Sequence, residues 1–164
     1  MFELPTHTLS DQEINQIIAK IHIPTYIGTL MSDEISGFKT ENDVCAIINL
    51  QPHTEIGTHW TCFATIGSRS YYFDSYACTP PINVLKFLKS EYDYDHLKPR
   101  IFCNALIAQR DNATNCGALC IFVLFYLTRG FNFDKIIRHL HHLIKLPSSY
   151  SPSLWVTTTN HNGS

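Results

Sequence analysis

Four polar side chains in this sequence could together perform acyl-transfer chemistry. They are the thiol of Cys116, the imidazole of His59, the carboxylate of Asp74 and the amide of Gln109. A cysteine nucleophile needs an imidazole to move protons, a third group to fix the imidazole tautomer, and donors for a tetrahedral oxyanion. With nine histidines and six cysteines, a cysteine and a histidine with no catalytic role are expected by chance. The helices and strands that carry these residues are therefore needed to judge whether they form a site.

Cys116 lies at the start of the most apolar segment of the chain. Residues 118–127 (ALCIFVLFYL) are apolar throughout, and Gly130 follows where helices usually end. A helix that is hydrophobic on all sides is buried. At its first turn, unpaired backbone N–H groups and the helix dipole lower a thiol pKa and can hold an oxyanion. For a lone cysteine, a buried structural role at a helix start would be the preferred interpretation.

Two predicted strands place His59 and Asp74 side by side. The segments 59–66 and 70–76 have strand composition, and Gly67-Ser68 between them is typical of a two-residue hairpin turn. In that register His59 and Asp74 share one face as diagonal neighbours, roughly 7–8 Å apart at the backbone. A shift of one residue would put them on opposite faces.

The remaining elements form a framework around this group. A capping box at Ser10-Asp-Gln-Glu13 starts an amphipathic helix that ends before Pro24. Further predictions are a strand at 44–50, a helix from Thr79, a strand at 100–108, a helix at 133–145, and loops after 26–30 and at 91–99. This order predicts an α/β (α+β) fold with a central buried helix on a mixed, mainly antiparallel sheet.

Length, charge and cysteine usage exclude several classes of protein. We expect one domain spanning residues 1–164, with an irregular tail from about 147. A net charge of −2 offers no strongly basic field for nucleic acid, and no apolar run reaches membrane-spanning length. Without a signal peptide or a disulfide framework, we expect a reducing compartment, no secretion and no membrane partner.

The order of these motifs resembles the adenain-like cysteine proteases, the family of the adenovirus maturation protease. It resembles more distantly the Ulp-type, SUMO-specific proteases of the same clan. The matching residues run through most of the chain and include Tyr26-Ile-Gly-Thr29, Cys45-Ala-Ile-Ile-Asn49, Gly57-Thr-His59-Trp60, Tyr72-Phe-Asp74, and Gln109 followed seven positions later by Cys116-Gly117. The resemblance implies the adenain/Ulp-like fold.

The resemblance also implies a role for each residue of the site. The implied catalytic residues are Cys116 as nucleophile, His59 as general base and acid, Asp74 as orienting acid and Gln109 as oxyanion donor, and the implied substrate-binding residues are Trp60, Gly28, Thr29 and Gly117. Asp74 stands where adenain has glutamate and the Ulp-type enzymes have aspartate. Trp60 resembles the Ulp-type tryptophan that narrows the cleft to admit only glycine; packing in the core is an equal alternative.

The implied function is a viral cysteine endopeptidase that cleaves glycine-containing sites in viral precursor proteins during virion maturation. Adenain is activated by a disulfide-linked viral peptide and by DNA. Here Cys103 lies too close to Gln109 to match the adenain cysteine, and the net charge of −2 disfavours DNA, so neither cofactor is required by the sequence. We expect a monomer that acts in the host nucleus or cytoplasm and in the virion.

Three alternatives stay open. A deubiquitinase, a SUMO- or NEDD8-specific isopeptidase, or an acetyltransferase effector could use the same fold and triad. A metal site could form from Cys116 and Cys120 with His139, His141 and His142, although the cysteine spacing is not that of common zinc sites. A binding module without activity is disfavoured, because it would have no need of all four polar groups.

Overall fold

The computed structural model describes residues 1–38, 42–51, 59–90, 100–147 and 152–155. The predicted loop 91–99, most of the predicted tail and the Gly57-Thr58 part of the histidine motif lie outside these ranges. The strands are β1 Phe2–Glu3, β2 Tyr26–Met31, β3 Val44–Asn49, β4 Trp60–Ile66, β5 Arg69–Phe73, β6 Arg100–Cys103 and β7 Ser153–Leu154. The helices are α1 Asp11–Ile21, α2 Ile82–Ser90, α3 Cys116–Leu127 and α4 Phe133–Leu143, with one 3-10 turn at Ile35–Gly37.

The main sheet has the strand order β2-β3-β4-β5-β6, which confirms the prediction of a mixed sheet. Its two central pairings, β3 with β4 and β4 with β5, are antiparallel. The two outer pairings, β2 with β3 and β5 with β6, are parallel. Together with the separate β1–β7 pair, three of the five pairings between described strands are antiparallel, so the sheet structure is mixed and mainly antiparallel as expected. Two short strands, β1 and β7, form a separate antiparallel pair that the sequence did not indicate.

The hairpin register is as predicted. Cys62 pairs with Phe73 and Phe63 with Tyr72, which is the register set by a two-residue turn at Gly67-Ser68. Gly67 has φ +58, in the left-handed region that glycine adopts at low cost. His59 immediately precedes β4 and Asp74 immediately follows β5, so both residues lie at the same end of the hairpin.

Apolar helices cover both faces of the main sheet. The α3 helix packs on one face, against Cys62, Ala64 and Phe73, together with residues of α1 and α4. On the other face, Phe63 and Tyr72 pack against Val84, Phe87 and Leu88 of α2. All residues of α3 except Tyr126 are buried, as its uniformly apolar sequence predicts. Every residue of β3 is also buried, because helices cover both faces of the sheet at this strand.

Several element boundaries differ from the sequence predictions. The capping box at Ser10 is present and starts α1 as expected. Residues 26–30, predicted to lead into a polar loop, belong to the edge strand β2, whose mostly half-buried side chains give no continuous apolar run. The strand predicted at 100–108 ends at Cys103, because the Asn104 side chain donates to the Leu106 carbonyl and turns the chain. Of the described helices, none is long and apolar enough to cross a bilayer.

Candidate active site

Cys116 is the first residue of α3, and only 4% of its surface is exposed. Its Sγ accepts a hydrogen bond from the backbone N–H of Trp60 at 3.5 Å and a second from the N–H of Gly117. Asn115, the residue before the helix, makes no capping hydrogen bond through its side chain. One N–H of the helix start, that of Gly117, therefore faces the thiol, which is an arrangement that stabilises a thiolate.

The pKa of the Cys116 thiol is lowered from its ordinary value of 9.0. Burial acts in the opposite direction and raises it, because a low-dielectric surrounding disfavours the charged form. The hydrogen bond from His59, the backbone N–H of Trp60 and the charge of His59 together outweigh burial. The site thus favours the nucleophilic form of the cysteine.

His59 connects the thiol to a carboxylate. Its Nε2 lies 3.0 Å from Oδ1 of Asp74, and its ring makes a hydrogen bond with Cys116. Because Nε2 is engaged by Asp74, Nδ1 is the ring nitrogen that remains for the thiol. Burial lowers the pKa of His59, but the bonds to Asp74 and Cys116 prevail and raise it to about 9. The contact between the two groups therefore favours a thiolate beside an imidazolium.

Asp74 is held rigidly just beyond the end of β5. It is 1% exposed, and its Oδ1 accepts from the backbone N–H of Tyr76 at 2.8 Å as well as from His59. Asn104 fixes its backbone from both sides, accepting from the Asp74 N–H at 3.0 Å and donating to the Asp74 carbonyl at 2.7 Å. The Tyr76 ring packs against the His59 ring with centroids 5.2 Å apart. These contacts aim the carboxylate at the imidazole.

Gln109 is 3% exposed and lies in the segment between β6 and α3. Its Oε1 accepts from the Ser75 hydroxyl at 2.6 Å, and its Nε2 donates to the carbonyl of Ala113. The structure thus joins Gln109 to the Asp74 segment through Ser75. Its predicted role as an oxyanion donor stays a prediction.

Trp60 and Gly117 pack directly against each other at the nucleophile. The Trp60 side chain is buried, with 6% exposed, and its indole N–H donates to the Leu9 carbonyl at 2.8 Å. A Cβ on Gly117 would lie 3.2 Å from Cδ1 of Trp60 and 3.3 Å from Cβ of Leu9. The Trp60 indole therefore belongs to the core, while the Trp60 backbone contacts the thiol. A substrate-binding role for either residue stays a prediction.

Gly28 and Thr29 lie elsewhere in the fold, on the edge strand β2. β3 separates β2 from β4, and Thr29 is paired with Ile47. The Thr29 hydroxyl bonds to Asn15 of α1 at 2.7 Å and to the Tyr26 hydroxyl. In the described part of the chain, neither residue contacts Cys116 or His59, so their assignment to substrate binding rests on the resemblance alone.

The residues of the metal-site alternative are engaged in other contacts. The His139 ring stacks on Phe122 with centroids 5.8 Å apart, and Nδ1 of His141 lies 2.7 Å from the Ile107 carbonyl. Cys120 packs in the core beside Cys62. Within the described ranges, no three His, Cys, Asp or Glu side chains lie close enough to share a metal ion. Cys103, the cysteine weighed as a site for an activating peptide, is exposed at the end of β6.

Sequence analysis missed three residues that complete the site. Asn104 and Ser75 act on partners 30 and 34 positions away, and no local pattern signals such contacts. The third, Tyr76, donates its backbone N–H to the Asp74 carboxylate, a bond that was not foreseen. The bonds of Asn104 and Ser75 depend on how the end of β5 meets the segment that follows β6, whereas the Tyr76 bond is local and spans two residues.

The arrangement can perform nucleophilic acyl transfer. A thiol with a lowered pKa touches an imidazole, and that imidazole touches a buried carboxylate. The imidazole can therefore hold a proton near the nucleophile and release it to a leaving group. The helix start and the Gln109 segment are candidate sources of oxyanion donors.

Comparison with solved structures identifies a shared fold. The ASFV pS273R protease matches with a TM-score of 0.62 at 15% identity, over 83% of this chain and 65% of that chain. Its Se-Met form gives a TM-score of 0.59 over the same shares. The SUMO protease Ulp1, with its catalytic cysteine oxidised to a sulfenic acid, matches with a TM-score of 0.50 at 18% identity, over 85% of this chain and 78% of that chain.

These matches confirm the predicted fold class, which is the mixed α+β fold of these cysteine proteases. This chain spans about two thirds of the length of the ASFV protease, at 65%. No protein-family model matches the chain. No curated protein matches it by sequence.

Proposed function

We propose that this chain is a cysteine endopeptidase with Cys116 as nucleophile. The observation that carries the proposal is the contact chain from Cys116 through His59 to Asp74, with 3.0 Å between Nε2 and Oδ1. Opposite pKa shifts on the thiol and the imidazole accompany that geometry. A buried structural cysteine would have a raised pKa, as the Cys45 thiol has, at about 12.

The proposed reaction has two stages. The Cys116 thiolate attacks the scissile carbonyl, and the oxyanion that forms is held by N–H donors at the start of α3 and by the Gln109 amide. The His59 imidazolium gives its proton to the leaving amine, which leaves an acyl-thioester on Cys116. His59 then takes a proton from water, the water attacks the thioester, and the free thiolate returns. Asp74 stabilises the imidazolium during both stages.

The proposed substrates are viral precursor proteins cut at glycine-containing sites during virion maturation. The resemblance to adenain supports this choice, because seven positions separate Gln109 from Cys116 as in that branch, whereas the Ulp-type interval is shorter. The fold shared with the ASFV protease is consistent with it. A reducing compartment, in the host cell or the virion, is part of the same proposal, since oxidation would consume the thiolate.

A ubiquitin-like isopeptidase is the second candidate function. The observation that favours it is the fold shared with the SUMO protease Ulp1. Asp74 also matches the aspartate of the Ulp-type enzymes. The two candidates differ in substrate and not in chemistry, so one experiment can separate them.

The test combines digestion of a peptide library with labelling by ubiquitin-, SUMO- and NEDD8-vinyl sulfones, which react covalently with an active-site cysteine. We expect the wild-type chain to cut peptides next to glycine, and we expect Cys116→Ala to lose at least about 1,000-fold in kcat/KM without a change in melting temperature. Cys78→Ala is the control, because Cys78 is an exposed cysteine outside the contact chain. Adding DNA or virion peptides to the digest measures whether either one activates the enzyme.

The outcomes separate the candidates. Full cleavage by Cys116→Ala, or equal loss in Cys78→Ala, contradicts the assignment of the nucleophile. Rapid labelling of Cys116 by ubiquitin-, SUMO- or NEDD8-vinyl sulfone, with no cleavage of the peptide library, selects the isopeptidase over the endopeptidase.

A further inference from the structure

Ser75 makes two bonds to the segment that carries Gln109. Its hydroxyl donates to Oε1 of Gln109 at 2.6 Å, and its carbonyl accepts from the backbone N–H of Ala108 at 2.8 Å. Ser75 is 0% exposed and Gln109 is 3% exposed, so water does not compete for either group. A buried hydrogen bond of this length holds its partners firmly.

The contact with Ala113 fixes which way the Gln109 amide points. A backbone carbonyl can only accept, so the Gln109 atom that faces the Ala113 carbonyl is the nitrogen, Nε2. The atom that faces Ser75 is therefore Oε1, and the Ser75 hydroxyl is the donor. An amide nitrogen carries two hydrogens, and the contact with Ala113 uses one of them. The contacts with Ser75 and Ala113 together hold the plane of the amide, and the second hydrogen of Nε2 remains for another acceptor.

The neighbouring residues Asp74 and Ser75 contact two different parts of the site. Asp74 orients the imidazole of His59, which moves the proton, and Ser75 orients the amide of Gln109. The Asp74 backbone is clamped by Asn104 through both its N–H and its carbonyl, so Asp74 and Ser75 are held on one rigid turn. A change at the Ser75 side chain therefore alters the amide without moving the carboxylate.

We propose that Ser75 is a positioning residue that holds the Gln109 amide with its nitrogen turned toward the developing oxyanion. The proposal rests on the endopeptidase function given above. Without the hydroxyl, Oε1 would be buried with no donor, and the amide would rotate or shift to recover one. The oxyanion donor would then be present in only part of the molecules. Turnover would fall, while substrate affinity and thiolate formation would not change.

The test compares Ser75→Ala with a control variant, Ser70→Ala. Ser70 lies in β5, and Ser75 lies just beyond the end of that strand. Ser70 is also 0% exposed, and its hydroxyl pairs with Thr65 at 3.3 Å, so both variants remove one buried hydroxyl from the β5 region. Three quantities are measured: kcat and KM on a peptide substrate, the rate at which iodoacetamide alkylates Cys116, and affinity for a peptide aldehyde. Alkylation needs the thiolate but builds no oxyanion, whereas the aldehyde adduct does.

We expect Ser75→Ala to lose about 10-fold or more in kcat with KM unchanged, less than the roughly 100- to 1,000-fold that loss of a whole oxyanion donor costs. Aldehyde affinity should fall by a similar factor, and the alkylation rate should stay within about twofold of wild type. Ser70→Ala should match wild type in all three. In a Gln109→Ala background, Ser75→Ala should cost nothing further, because its effect passes through that amide.

Each contrary result overturns a specific claim. A slower alkylation in Ser75→Ala would show that the hydroxyl acts on the thiolate and not on Gln109. An additive loss of kcat in the variant that carries both Ser75→Ala and Gln109→Ala would show that the effect of Ser75 does not pass through Gln109. Ser75→Ala behaving like Ser70→Ala would contradict the positioning role while leaving the endopeptidase proposal intact. A wild-type chain that cleaves no peptide contradicts the proposed function, and the positioning role with it.

Discussion

At the scale of single residues, Cys116 and His59 shift each other's protonation in opposite directions. The pKa of His59 is raised to about 9, so its bound proton stabilises the folded chain fully below about pH 6.5, and this contribution is lost as the pH rises through about 9. The pKa of Cys116 is lowered, so the stabilisation from its thiolate is present above about pH 9.0 and is lost as the pH falls through the lowered value. The ion pair therefore occupies a window whose upper limit is about pH 9.

The pH dependence of alkylation measures this window. We expect iodoacetamide to modify Cys116 faster at neutral pH than it modifies an ordinary thiol, because the lowered pKa of Cys116 increases the fraction present as thiolate. We expect kcat/KM to decline above about pH 9 as His59 loses its proton. In His59→Ala, the alkylation rate at pH 7 should fall, because the substitution removes both the hydrogen bond and the charge that lower the pKa of the Cys116 thiol.

His7→Ala is the matched control for this measurement. His7 also lies 3.1 Å from a carboxylate, that of Glu13, but both side chains are exposed and neither contacts Cys116. Its alkylation profile should overlay that of wild type. An unchanged profile in His59→Ala would show that the imidazole does not lower the pKa of the thiol.

Sequence reasoning predicted the proximity of His59 and Asp74 correctly, because a short turn fixes their geometry. The two-residue turn at Gly67-Ser68 sets the register, and the register sets the proximity of His59 and Asp74. The bonds made by Asn104 and Ser75 follow from contacts between segments 30 or more positions apart, which no local pattern encodes. What could be predicted is local, and what was missed is tertiary.

At the scale of elements, the start of α3 and the start of β4 approach closely at Gly117. Any Cβ at this position would lie 3.2 Å from the Trp60 ring and 3.4 Å from Cδ1 of Ile14. The Trp60 backbone N–H that contacts Cys116 belongs to the same residue as that ring. The absence of a side chain at Gly117 therefore sets the distance between the nucleophile and its donor.

We expect Gly117→Ala to destabilise the fold and to slow turnover. Overpacking of a core contact costs about 1–3 kcal/mol, and the better helix propensity of alanine returns up to about 1 kcal/mol, which leaves a loss on the order of 1 kcal/mol. For a chain of this size the melting temperature should fall by about 2–4 °C. Displacement of Trp60 should also raise the pKa of Cys116, which the alkylation rate at pH 7 detects.

Gly37→Ala is the control for this substitution. A Cβ there meets nothing within 4 Å, and Gly37 is exposed in the 3-10 turn. Its free energy of unfolding should lie within about 0.5 kcal/mol of the wild-type value. Its activity should equal that of wild type. A Gly117→Ala chain as stable and as active as Gly37→Ala would mean that the contact at α3 relaxes freely.

Element prediction succeeded where one physical signal dominated. The α3 helix was found because uniform apolarity requires burial, and α1 because its capping box and spacing agree. β2 was missed because an edge strand needs no continuous apolar run. β1 and β7 were missed because each has only two residues and is defined by its pairing with the other. The end of β6 was overextended because Asn104 competes for its backbone bonds.

At the scale of the whole molecule, three element ends meet to build the site. β4 begins beside His59, β5 ends beside Asp74, and α3 begins with Cys116. The apolar layers on both faces of the sheet hold these ends in place. The same fold is seen in the ASFV protease and in Ulp1, but a fold hosts many chemistries, so the activity has to be established at Cys116 itself.

The most direct measurement is to locate the covalent intermediate. Intact-mass and peptide-mapping spectrometry, after rapid quenching of the chain with an activated ester of a glycine-terminated peptide, identifies which of the six cysteines carries the acyl group. We expect one acyl group, on Cys116, absent in Cys116→Ala and formed at least about 10-fold more slowly in His59→Ala. An acyl group on another cysteine, or equal rates with and without His59, would contradict the assignment of Cys116 and His59 as a catalytic pair.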